Sequence, residues 1–359
     1  MRFGAAISFE MLCAVVDYGG GSPAGENFTR ETANSRSLRS PVAAGSVGMT
    51  VLKVDASMLS TDHWLPATDY WLLSPLTILL LPRTLRSSYA RGMAVSITVL
   101  ASGSGGNCTV VSSSRTRLLV DAGLSCRELL RRMTLCGEDW HLIDAILVTH
   151  EHSDHVGGLR VLAKRLKVPI YITGETYQAY QKFARDCSGK RVSLERRELF
   201  RSGHAFEIGD ITVKPFTIPH DAADPVGYTF RSGGIKIGVC TDLGYMPASV
   251  RDNLRGCHVL MIESNHDLEM LRGGPYPWSV KQRVMSQVGH LSNGKLAEFL
   301  TGDYDGSAEF LILAHLSETN NHPEIARMTA ERALGEQRSL LRNRLLLAAQ
   351  HEPLPAVQL

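Results

Sequence analysis

The chain has 359 residues, 44% hydrophobic and 21% charged, an ordinary balance for a soluble globular protein with one large domain or two smaller ones. A formal net charge of +2 excludes a global field drawing it to nucleic acid or membrane, so a polyanion must be met by a local patch. Seven scattered cysteines, odd in number and without a CxxC spacing, exclude a disulfide framework and fit a reducing cytoplasm; no run reaches the ~18 apolar residues of a membrane span.

Residues 1–92 are rich in Gly, Ser, Ala, Pro and Thr and lack sustained periodicity, so they read as a disordered or dispensable extension. The pattern changes at Met93, and 93–359 suits one domain. Residues 95–100 predict a strand, closed by the turn Ser102-Gly103-Ser104-Gly105-Gly106-Asn107. A hairpin over 108–112 and 117–120 leads to Asp121-Ala122-Gly123, and Ser125 is placed to cap a helix over 126–133. A buried strand over 145–148 precedes a histidine-rich loop and a helix over 159–166. Then come a strand over 169–172, a helix over 175–187 and strands over 207–218, 226–231, 234–240 and 259–263. Helices over 278–288 and 293–300, a strand over 310–314, a helix over 323–334 and a strand over 344–348 complete the pattern. Alternating strands and helices with hairpin links predict mixed sheets with helices outside.

The loop Thr149-His150-Glu151-His152-Ser153-Asp154-His155 carries the chemistry. Imidazole nitrogens and carboxylate oxygens suit zinc, manganese or iron, and a loop leaving a strand end can aim several of them at one point. Three more polar residues stand just past apolar runs: His220, Asp242 and His315. In a layered fold such positions gather at one sheet edge. The turn at Ser104, Gly105 and Asn107 can offer amides and hydroxyls to a phosphate, or can be only a tight turn. Basic residues recur at Arg127, Arg131, Arg132, Lys164, Arg165, Lys167, Lys190, Arg191, Arg196 and Arg197. If some line the cleft, DNA affinity should fall steeply with salt.

His150-x-His152-x-Asp154-His155 followed by His220, Asp242 and His315 resembles the metallo-β-lactamase superfamily, and Leu119-Val120-Asp121-Ala122-Gly123 matches its first motif. The segments 100–107, 263–267, 289–293 and 314–321 are similar to those of the YycJ/WalJ-type hydrolases. The resemblance covers 93–359 and implies an αββα sandwich, two mixed β-sheets flanked by helices, with a two-metal centre. It implies that His150, His152 and His220 hold one ion, that Asp154, His155 and His315 hold the other, and that Asp242 bridges them. Asp121 would orient a ligand imidazole, and His290 would protonate the leaving oxygen near the phosphate. His266 is a further candidate for substrate contact, although a position beside Asp267 at a helix start explains it as well.

The implied activity is phosphodiester hydrolysis by a metal-activated hydroxide, with Asp154, Asp242 and His290 in the reaction. A 5′-to-3′ DNA exonuclease is the leading reading. The alternatives are a small cyclic-phosphate phosphodiesterase, a glyoxalase II-like thioester hydrolase and a non-catalytic metal-binding regulator. Asp242, where many true β-lactamases carry cysteine, argues against antibiotic hydrolysis.

Overall fold

The computed structural model describes residues 95–184, 193–335 and 344–359, with the backbone of 14–15 and 50–51. The chain divides into two compact units, 1–78 and 79–359. In the first, Ala14–Val15 pairs antiparallel with Thr50–Val51. The rest of the extension expected over 1–92 lies outside the described residues.

The second unit holds two seven-stranded sheets. The first contains β1 (Ser96–Ala101), β2 (Cys108–Ser112), β3 (Arg117–Val120), β4 (Ala145–Leu147), β5 (Ile170–Thr173) and β6 (Arg197–Phe200). The second contains β7 (Phe206–Ile208), β8 (Ile211–Thr217), β9 (Val226–Ser232), β10 (Ile235–Cys240), β11 (Val259–Glu263), β12 (Phe310–Ala314) and β13 (Arg344–Leu347). The last strand, β14 (Leu354–Gln358), returns to the first sheet and pairs antiparallel with β1. Ile97, Val111, Tyr228, Phe230, Ile237 and Met261 pack between the sheets.

Helices α1 (Cys126–Leu135), α3 (Leu159–Leu166) and α4 (Gly174–Phe183) cover the outer face of the first sheet through Leu129, Met133, Leu159, Leu162 and Tyr180. The short α2 (Ser153–Val156) lies within the histidine loop. Helices α5 (Ala248–Leu254), α8 (Asn293–Gly302) and α9 (Pro323–Leu334) cover the second sheet through Leu254, Leu296, Phe299, Ala326 and Ala330. Two short helices, α6 (Leu268–Gly273) and α7 (Trp278–Val284), link β11 to α8. The result is the αββα sandwich expected from the sequence.

The departures are local. The strand expected over 207–218 is a hairpin, because Gly209 takes φ +58° and turns β7 into β8. The helix expected over 278–288 stops at Val284, and His290 N–H returns to Val284 C=O. Ser125 caps α1 as expected, its hydroxyl accepting the Glu128 amide at 3.3 Å.

Strands β3–β6 run parallel in the first sheet and β10–β13 in the second. The ends of both parallel sets meet: Val226 N–H donates to Thr149 C=O at 3.1 Å, and the His315 amide donates to Ser102 Oγ at 2.8 Å. Crevices at the carboxyl ends of parallel strands are where open α/β sheets hold ligands.

Candidate metal centre

Each candidate ligand stands just past the carboxyl end of a strand. Asp121 follows β3, the histidine loop follows β4, His220 follows β8, Asp242 follows β10 and His315 follows β12. Asp121, Asp242 and His315 all adopt left-handed backbone, with φ of 61°, 59° and 55°. A non-glycine residue held there costs about 1–3 kcal/mol, and such strain gathers at functional sites. The sharp turn lets each side chain swing back over the sheet edge. Gly123 fixes the histidine loop against the first motif, since a Cβ on it would sit 1.7 Å from the Asp154 carbonyl oxygen.

The expected ligands form two donor clusters, and a third group that could hold an ion joins Asp242 and His315 to Glu263 and His290. In the first, His150 Nε2 and His220 Nε2 lie 3.1 and 3.2 Å from His152 Nδ1. Nitrogens about 2.0–2.1 Å from one zinc ion in a tetrahedron would be roughly 3.3 Å apart. In the second, His155 Nε2 is 3.3 Å from Asp154 Oδ2 and 3.2 Å from Asp242 Oδ2, and His315 Nε2 is 3.6 Å from Asp154 Oδ2. Asp242 stands between the two, its Oδ1 3.9 Å from His220 Nε2. Asp242 Oδ2 and His315 Nε2 are buried without a hydrogen-bond partner, as a metal ligand pair would be.

The outer atoms of these imidazoles set their tautomers. His155 Nδ1–H donates to Asp121 Oδ2 at 2.8 Å, His220 Nδ1–H to the Gly289 carbonyl at 3.1 Å, and His315 Nδ1–H to Glu263 Oε1 at 2.8 Å. Each bond leaves an Nε2 lone pair aimed at the cluster. Asp121 is held in turn by the Thr149 amide and hydroxyl, at 2.9 and 2.8 Å.

Electrostatics push the same way. Burial alone would raise the Asp154 and Asp242 carboxyls, but the surrounding histidines hold both below the usual carboxylate range. Burial would lower His315, yet Asp242, Asp154 and Glu263 push it up to about 10. The carboxylates are kept ionised by positive charge on their neighbours, and divalent cations meet that demand without protons. The donor set of imidazole and carboxylate fits divalent metal ions.

Glu263 carries a role that the sequence reading assigned to no residue. It is fully buried, and its Oε1 also accepts His290 Nδ1–H at 2.8 Å, while Oε2 accepts the Leu243 and Leu291 amides at 2.6 and 3.1 Å. The available signal is a carboxylate closing the apolar run 259–262, the same placement that marks Asp242 and His315. Asp221 is a second residue without a role in the sequence reading. Its Oδ1 lies 3.5 Å from His220 Nε2, and Oδ2 pairs with Arg283.

His290 is half-buried between the clusters, its ring centroid 5.2 Å from those of both His220 and His315. Burial would lower it, but Glu263 holds it above the usual histidine value. With His266 and Ser292 it lines a cavity of about 490 Å³. Burial drives His266 down to about 4, so it faces that cavity as a neutral ring.

The glycine-rich turn does not present the open phosphate cradle expected at Ser104, Gly105 and Asn107. The Gly103 amide is taken by Asn107 Oδ1 at 2.9 Å, the Gly105 amide by Gln350 Oε1 at 2.7 Å and the Gly106 amide by the Gly103 carbonyl. Asn107 instead aims Nδ2 at Asp154 Oδ2, 3.2 Å away, so the turn braces a ligand.

The model of the beta-lactamase superfamily domain matches residues 116–315, from β2–β3 to His315. Exodeoxyribonuclease YycJ of Bacillus anthracis is 38% identical over 248 residues, covering 68% of this chain and 91% of that protein. The chain belongs to this superfamily, in its YycJ/WalJ-type branch. Exodeoxyribonuclease WalJ of Streptococcus pneumoniae is 37% identical over 238 residues, covering 66% of this chain and 87% of its own. Among solved structures, unliganded yeast PDE1 shares the fold with a TM-score of 0.55 at 17% identity, over 73% of this chain and 99% of its own. The YycJ/WalJ-type chain is a metal-dependent hydrolase, and its clustered histidines and aspartates are the residues that can hold the metal.

Proposed function

We propose that the chain is a 5′-to-3′ DNA exonuclease working with two divalent ions, zinc or manganese, and that 93–359 carries the activity. The carrying observation is the convergence of all seven expected ligands into two clusters with Asp242 between them. Relatives named exodeoxyribonucleases that align over most of their length support the choice of DNA. His150, His152 and His220 would hold one ion, and Asp154, His155, Asp242 and His315 the other. Such a pair supplies Lewis acidity to the phosphoryl oxygens and a nucleophile at neutral pH.

The chain's own residues do the rest. Asp121, Gly289 and Glu263 fix the ligand imidazoles through their Nδ1 atoms. Glu263 keeps a proton on His290, whose Nε2 delivers it to the leaving oxygen. Neutral His266 hydrogen-bonds the substrate across the cavity. The free cysteines among the described residues fit a reducing cytoplasm. No helix among those residues is long and apolar enough to cross a membrane.

Purified protein loaded with manganese or zinc should shorten 5′-phosphorylated DNA. Turnover of a chromogenic phosphodiester without any DNA digestion would favour the small-phosphodiester reading, and hydrolysis of a glutathione thioester alone would favour the glyoxalase-like one.

A further inference from the structure

Two neighbouring hollows lie on the His152 side of the metal centre. The first, about 630 Å³, is lined by His152, Asp221, Arg160, Tyr180 and Phe183. The second, about 420 Å³, is lined by Arg160, Lys164, Lys167 and Arg196 above Val168 and Leu194. Arg160 belongs to both walls, which makes the hollows neighbours running outward from the centre. Arg160, Lys164 and Lys167 recur at i, i+4 and i+7, which puts them on one face of α3 and its cap. Arg196 donates to the Lys167 carbonyl, which holds its guanidinium at the end of that row.

The charge along this path is unbalanced. Among the described residues, no carboxylate lies within ion-pair distance of Arg160, Lys164 or Lys167; Glu195 is the one acid lining the second hollow, and of the two acids lining the first, Glu151 and Asp221, the latter is paired with Arg283. On the His290 side the cations are neutralised, Arg251 by Asp303 and Lys295 by Glu298. At the centre's end of the basic path, Phe183 leaves 77% of its surface exposed. A base-stacking ring followed by a basic row is the pattern that holds single-stranded nucleic acid without reading its sequence. From residue 160 to 167 the helix rises about 10 Å.

Resting on the exonuclease reading, we propose that the strand being digested leaves the metal centre over α3, with a base stacked on Phe183 and its phosphates on Arg160, Lys164, Lys167 and Arg196. Cleavage then occurs at one end of a held strand, and the longer part of the substrate lies on the His152 side.

The test uses the full chain loaded with manganese and a 5′-phosphorylated 20-nucleotide single strand, with bis(p-nitrophenyl) phosphate as the internal reference. Lys164→Glu with Lys167→Glu should raise KM for the strand at least tenfold relative to the reference substrate. It should also flatten the salt slope by about 0.7 for each phosphate that is no longer neutralised. A charge-matched pair away from the path, Arg127→Glu with Arg332→Glu, should change that ratio less than twofold. In the wild type KM should fall as the strand lengthens from two to ten nucleotides, and the Lys164/Lys167 variant should lose that trend.

An unchanged ratio, or an equal loss in the control pair, overturns the path while leaving the exonuclease reading in place. A wild type that splits the reference ester and digests no DNA overturns both. If the double variant loses the reference activity too, Phe183→Ala with Arg160→Gln replaces it, and an unaltered strand KM there overturns the proposal.

Discussion

His290 and His315 donate their Nδ1 protons to the same oxygen, Oε1 of Glu263, each at 2.8 Å. One buried carboxylate therefore sets the tautomer of a metal-ligand candidate and of the proton donor.

Replacing Glu263 by Gln keeps the volume but removes the charge that holds both protons. Partners of this kind are worth about 10–100-fold in metal affinity or activity. Glu263→Gln should lose that much in kcat and retain less metal after dialysis. Equal metal content and a kcat within twofold of wild type would remove Glu263 from this role.

His290 should matter most where the leaving group needs a proton. His290→Ala should lower turnover of DNA about 10²–10⁴-fold. It should affect bis(p-nitrophenyl) phosphate far less, because p-nitrophenolate leaves unprotonated. Metal content, measured by elemental analysis, should not change. An equal loss on both substrates would contradict a general acid.

The sequence displayed most strands and covering helices, though neither β6 nor α5, and it marked His150, His220, Asp242 and His315 as candidate ligands because each stands just past an apolar run. Less legible were features made by contact across the chain. Strand β14 carries Pro355 and no alternation, and it is tolerated because it is an edge strand with an irregular register against β1. Gln350, just before it, fills the glycine-rich turn through the Gly105 amide and the Gly106 carbonyl. No pattern within residues 102–107 announces a partner some 245 positions away. Glu263 opens the segment 263–267, but its two imidazole partners arrive from different loops.

Close backbone contact gives a stability prediction. In Gly123→Ala the new methyl would overlap the Asp154 carbonyl, so loop and motif must part. Overpacking of this kind costs about 1–3 kcal/mol or more. The variant should melt several degrees lower and lose metal from the Asp154 cluster. A melting temperature and metal content like wild type would show that the contact is slack.

Acid stability tests the brace around the glycine-rich turn. Buried Arg132 donates to the carbonyls of Leu100 and Gln350 at 2.9 and 2.7 Å, and Glu128 accepts from it at 2.7 Å. Hydrogen bonds from Arg131 and Arg132 lower the Glu128 carboxyl to about 2. A depressed carboxyl contributes stability that is present above its unfolded value, about 4.3, and lost as pH falls toward 2. Glu128→Gln should therefore melt roughly 2–4 °C lower at pH 7, for about 1 kcal/mol, and the gap should shrink below pH 4. A gap as wide at pH 2 as at pH 7 would contradict the linkage.

Asp242 is the residue on which the two-ion account turns. Its most direct test is metal stoichiometry and DNA turnover measured on the same samples of wild type and Asp242→Ala. The wild type should hold two equivalents of divalent metal and digest DNA, and the variant should hold no more than one equivalent and digest none. A variant that keeps both equivalents, or digests DNA at the wild-type rate, would contradict the two-ion account.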